Sequence, residues 1–104
     1  MSELNKAGEK TMNTRNNIEK LWEYILDVFE TEELSAAVEE FEFDTNQLEE
    51  SNLDSLSEEE SRSLFFDLGY MAVNGLFGGN FHMWNEVLTY SLEFDEETID
   101  FLNY

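Results

Sequence analysis

The chain has 104 residues, enough for one domain with a buried core but too few for a catalytic domain and a regulatory one together. Its 41% hydrophobic and 14% aromatic content excludes a disordered acidic tail, and the absence of Cys excludes disulfides and thiolate zinc sites while leaving the redox compartment open. A net charge of −20 argues against direct binding of nucleic acid or of an anionic membrane surface, since both require Lys and Arg to replace counterions.

Residues 1 to 17 lack the apolar run of a signal peptide, and no stretch reaches the roughly eighteen apolar residues of a membrane span, which predicts a cytoplasmic protein. Residues 1 to 15 are polar and are expected to form a flexible segment, with a single acidic helical domain over 16 to 104. Asn16 and Glu19 form a capping box, and Ile18, Leu21, Trp22, Ile25, Val28 and Phe29 follow at helical spacing, predicting a first helix over 17–30. Thr31 is the expected N-cap of a second helix over 32–41, with Leu34, Ala37, Val38 and Phe41 on one face.

Residues 42–56 read as a loop with one short helical turn near 47–50, and Phe41 to Phe43 as a short extended piece. Ser57 and Glu60 form a second capping box that opens a third helix over 58–77, carrying Leu64, Phe65, Leu68, Met71, Ala72 and Leu76. Gly78 and Gly79 stop it. Asn80 then caps a fourth helix with Phe81, Trp84, Val87, Leu88 and Leu92, and Asp95 starts a short fifth one with Ile99 and Leu102. Gly69 and Gly75, inside the third helix, predict close packing against Trp84 or Trp22. Phe66 and Tyr70 fall off its apolar stripe and read as anchors for a dimer or a partner. The pattern defines an all-α fold, a compact bundle of four to five helices behind a flexible N-terminal segment.

The charge is distributed unevenly. Lys6, Lys10, Arg15 and Lys20 lie in the first twenty residues, and Arg62 is the only Lys or Arg after them, against 22 acids. Glu19, Glu23, Asp27 and Glu30 fall on one arc of the first predicted helix, about 5–6 Å apart along its axis, a repeat comparable to phosphates along a nucleic-acid strand. Glu32, Glu33, Glu39 and Glu40 form an arc on the second, and Glu42, Asp44, Glu49, Glu50, Asp54, Glu58, Glu59 and Glu60 continue the surface. A solvated face accounts for any one of these arcs. It accounts poorly for fifteen acids without a base between Trp22 and Glu60, because solvated helices normally interleave Lys with Glu. Halophilic adaptation fits poorly with nine Phe.

Catalysis and metal binding lack their usual residues. His82 is the only His, no loop has the alternating Asp spacing of a calcium site, and the many carboxylates have no His, Lys or Arg placed to stabilise a transition state. No cofactor is expected, and the chain is not expected to be an enzyme.

Asp54-Ser55-Leu56 in an acidic helical domain of this size resembles the acyl carrier proteins. The resemblance implies a phosphopantetheine arm on Ser55 at the start of a helix; Asn52 stands where that motif has Gly. In charge, size and helical patterning the whole chain looks like the small acidic DNA-mimic inhibitors encoded by phages and mobile elements, which block restriction enzymes, CRISPR effectors, uracil-DNA glycosylase or other DNA-binding proteins. That likeness implies a basic DNA- or RNA-binding protein as partner, held by the sixteen carboxylates named above. An immunity protein or antitoxin against a basic toxin shares the same electrostatics, and a homodimer is open.

Overall fold

The computed structural model describes residues 13–103, and every regular element among them is helical. Helix α1 spans Thr14–Val28, α2 Thr31–Glu40, α3 Glu50–Asp54, α4 Glu58–Met71, α5 Phe81–Glu86 and α6 Glu96–Asn103. A 3-10 turn over Thr45–Leu48 precedes α3, and π-helical turns extend α4 over Ala72–Leu76 and α5 over Val87–Ser91.

The first helix begins earlier than the sequence predicts. Asn13, not Asn16, is the N-cap: its side chain accepts from the Asn16 backbone N–H, so Asn16 donates within the first turn. Thr14 and Arg15 are therefore helical, and residues 1–12 of the segment expected to be flexible lie outside the described residues. Thr14 is buried and its hydroxyl donates to Glu58 Oε2 at 3.1 Å, which joins the start of α1 to the start of α4. Ile18, Leu21 and Ile25, spaced for one face, are fully buried as α1 packs along α4 and against α2.

The first helix also ends before Glu30, because the backbone turns extended at Phe29 and Glu30 becomes the N-cap of α2 in place of Thr31. At the other end of α2, the N–H of Glu42 bonds to Glu39 O (3.3 Å) and that of Phe43 to Val38 O (3.0 Å), a Schellman closure. The closure puts Glu42 in the left-handed region at φ 53° and buries Phe43. Residues 41–43 are thus a helix cap, not an extended piece, and 42–56 hold two helical segments where one turn was expected.

Ser57 and Glu60 form the predicted capping box, with reciprocal bonds of 2.9 and 3.1 Å. The long helix then closes through π-type bonding, Phe77 N to Ala72 O at 3.0 Å, with Gly78 and Gly79 both at positive φ. Asn80 caps α5 by accepting from Met83 N. The end of α5 repeats the wide closure, but with Glu93 rather than Gly at φ 56°.

Trp84 and Phe65 are fully buried at the centre of one continuous core. Phe65 packs between Phe94 and Phe101, each ring centroid 6.0 Å away. Burying each such side chain contributes about 1.5–3 kcal/mol. Of the two glycines inside the long helix, Gly69 faces Leu102 and Trp84, whereas the nearest neighbours of Gly75 are Phe41 and Ala37 rather than a Trp.

Candidate partner-binding surface

Fifteen of the sixteen predicted surface carboxylates are exposed, and Glu19 is half-buried. Glu19, Glu23 and Asp27 follow one another at four-residue steps along α1, about 6 Å apart by helical rise. Glu30 leaves that row, since it caps α2 at the corner between the helices.

Several of these acids stabilise the fold. Glu33 accepts from Glu30 N (3.1 Å), Asp44 from Asn46 N (3.0 Å) and Glu60 from Ser57 N (2.9 Å). Glu32 and Glu33, Glu50, and Glu58 to Glu60 occupy first turns, where the positive end of the helix dipole favours them. Arg15 pairs with Asp54 and lies 3.5 Å from Glu19 and 3.8 Å from Glu50, while Arg62 donates to Glu58 at 3.0 Å.

A second group does the opposite. Asp27 lies in the last turn of α1, and Glu39 and Glu40 in the last turn of α2, against the negative end of each dipole; among the described residues neither helix has a base in its last turn. Glu42 follows them in a left-handed conformation that costs a non-Gly residue roughly 1–2 kcal/mol. Together with Glu23 these four have no ion-pair partner among the described residues, and all are exposed. Folding alone does not explain carboxylates in those positions.

Two grooves adjoin them. Trp22, Leu34, Ser35, Val38, Glu39 and Thr45 line a largely apolar one of about 450 Å³ between α1 and α2. Farther along α2, Phe41, Glu42, Phe43, Asp44, Gln47, Asp67 and Tyr70 line a smaller one of about 270 Å³ with three carboxylates. Burial there holds the Asp67 carboxyl above its ordinary pKa. An apolar groove with Glu39 on its rim and a second groove with three carboxylates are complementary to a surface that presents an apolar anchor together with Lys and Arg.

Asp67 and its groove were not legible in the sequence, nor was the Arg15 cluster. Asp67 sits on the exposed side of α4, and only the Glu42 cap brings it near Asp44; no local pattern encodes that approach. The exposure of Tyr70 at 54% was legible from its place off the stripe, and Phe66 is half-buried.

Ser55 closes α3 instead of opening a helix: it is the C-cap, and its hydroxyl donates to Asn52 O at 2.9 Å. The placement that the carrier-protein resemblance implies is therefore not found, since the following helix starts at Glu58 with Ser57 as its cap. His82 is exposed in the first turn of α5, 3.5 Å from Glu86. Among the described residues no group of three or more His, Asp or Glu is placed to hold a metal, and no helix is long and apolar enough to cross a membrane.

The geometry defines an all-α bundle whose exposed carboxylates are spread over α1, α2, the segment after α2 and the start of α4. Comparison with protein-family models, curated proteins and solved structures gives no match.

Proposed function

We propose that this chain is a DNA mimic, an inhibitor that occupies the basic nucleic-acid-binding site of another protein with the carboxylates of α1, α2 and the segment that follows. The observation that carries the reading is the set Asp27, Glu39, Glu40 and Glu42: exposed, unpaired among the described residues and placed where each opposes folding. Charges kept at a cost to stability are accounted for by a partner that neutralises them. The partner is a DNA- or RNA-binding protein of restriction, CRISPR or repair type, met in the cytoplasm of the host cell; the chain binds no nucleic acid and catalyses nothing. Carboxylates at phosphate-like spacing engage the partner's Lys and Arg, and the Trp22 groove accepts an apolar side chain from between them.

The test is capture from a host lysate on the immobilised chain followed by elution with duplex DNA. A DNA-binding protein released by DNA supports the reading. A captured protein that DNA fails to displace refutes it, and a nuclease or other toxin held in that way moves the chain to the immunity-protein class. Carrier function, by contrast, requires a mass adduct on Ser55 after incubation with a phosphopantetheinyl transferase.

A further inference from the structure

Helices α4 and α6 line a largely apolar groove of about 530 Å³ formed by Arg62, Ser63, Phe66, Asp100 and Phe101. Phe66 and Phe101 form its floor, with ring centroids 6.1 Å apart and nearly perpendicular planes. Arg62 lies over the Phe101 ring at 5.9 Å and uses Nε on Glu58, which leaves its two terminal amino groups without a partner among the described residues. Asp100 lines the same groove, is exposed, and has no ion-pair partner among the described residues.

Here the two terminal amino groups of Arg62, beyond its bond to Glu58, and the unpaired carboxylate of Asp100 flank two half-buried apolar rings. Of the other bases in 13–103, Arg15 is taken by three carboxylates and Lys20 donates to Leu92 O at 2.7 Å. A basic partner gains more on the flank of α1 and α2, and an acidic partner is repelled everywhere else. One surface is complementary to this groove in both charge and apolar content: the same groove on a second copy.

We propose that the chain forms a two-fold homodimer through the groove between α4 and α6, with Arg62 of each copy facing Asp100 of the other and the Phe66 and Phe101 rings packed across the axis. Two-fold symmetry makes this patch self-complementary, because each cation meets an anion twice over. The contact is small and two chains of net charge −20 repel, so the dimer is weak, with Kd on the order of tens of micromolar. Salt screens the long-range repulsion more than the close pairs, so the dimer tightens as salt rises. Binding of a basic partner weakens with salt, so failure of the dimer and failure of the mimic reading are separable.

The test is sedimentation equilibrium of the full chain at low and at high salt. The expected result is a monomer–dimer equilibrium with Kd about tenfold lower at about 0.5 M salt than at about 0.05 M. R62D and D100R each lower dimer affinity at least about tenfold, and the double variant R62D/D100R restores it, since the exchanged charges face each other again. S63E alters only an exposed helical position and abolishes the dimer without touching the core, which guards against a folding defect in the reversals. A wild-type chain that stays monomeric overturns the proposal and leaves the groove to another occupant. So does a dimer that survives either single reversal or S63E, or a double reversal that stays monomeric.

Discussion

Gly75 and Phe41 are in contact across the α2–α4 seam: a Cβ at Gly75 would lie 3.0 Å from Phe41 Cε2 and 3.1 Å from Ala37 Cβ. Ala is preferred over Gly in a helix by up to about 1 kcal/mol, but overpacking a fitted seam costs about 1–3 kcal/mol. Gly75→Ala is therefore expected to destabilise by about 1 kcal/mol, lowering Tm by roughly 4–8 °C. Gly69 differs, because its nearest neighbour is the end of the Leu102 side chain and Trp84 is at an ordinary 3.5 Å. Leu102 can shift, so Gly69→Ala loses less. Equal Tm losses for the two variants in thermal melts would refute this reading of the seam.

Glu42 and Glu93 share a left-handed backbone but not a surface. Each follows a helical end, with φ 53° and 56°, and Gly relieves both at the expense of extra freedom in the unfolded chain. Glu42→Gly and Glu93→Gly are each expected to raise stability by about 1 kcal/mol in urea titrations. Only Glu42 belongs to the proposed surface. Its replacement lowers affinity for the captured partner about fivefold, while that of Glu93 leaves it unchanged. A partner indifferent to Glu42→Gly removes this residue from the interface.

The contrast between these two glutamates also marks how far the sequence could be read. Helical periodicity located α1, α2, α4, α5 and α6 to within a few residues, because Leu64, Phe65 and Leu68, or Trp84 and Leu88, repeat every three to four positions whatever they pack against. The caps were legible where one residue type decides them, as at Ser57 and Asn80. They were misread where two capping residues compete: Asn13 displaced Asn16, and the extended backbone at Phe29 moved the α2 cap from Thr31 to Glu30. Nothing local announces that Glu42 or Glu93 adopts a conformation suited to Gly. The closure is imposed from outside, by the burial of Phe43 and Phe94 one residue later. The acidic surface was legible as residues, because exposed carboxylates need no partner to be named. Its division into acids that support the fold and acids that oppose it required the helix ends.

The pKa values of Asp67 and Asp95 are displaced in opposite directions. Burial raises the folded-state pKa of Asp67, so its protonated form is favoured: that contribution is present in full below the unfolded pKa of about 3.9 and is lost as pH rises through the folded value. Asp67→Asn is thus expected to raise Tm at pH 7 and to have no effect at about pH 3. Asp95 is held low by bonds from the Thr98 side chain and backbone N–H, the latter at 2.9 Å, where it caps α6. Its contribution is present above the unfolded pKa and is lost as pH falls through the folded value. Asp95→Ala removes the cap and lowers stability by about 1 kcal/mol at neutral pH, with the gap closing on acidification. Melts of both variants against pH check the signs, and a Tm gain for Asp67→Asn that persists in acid refutes the desolvation argument.

Salt separates the acids that oppose folding from those that support it. With a net charge of −20 the folded chain repels itself, so Tm rises as salt is added up to about 0.5 M. Asp27→Asn and Glu40→Gln each remove a charge from the negative end of a helix, where the dipole term is about 0.3–1 kcal/mol, and should raise Tm by a few degrees at low salt. The gain shrinks as salt screens the same interaction. Asp54→Asn relieves general repulsion too, but it takes a carboxylate from Arg15, and an exposed pair of this kind is worth about 0–1 kcal/mol. The two effects offset, so Asp54→Asn leaves Tm nearly unchanged at low salt. If all three substitutions raised Tm alike, net charge alone would govern stability, and the positions of Asp27 and Glu40 at the helix ends would carry no weight in assigning them to a partner.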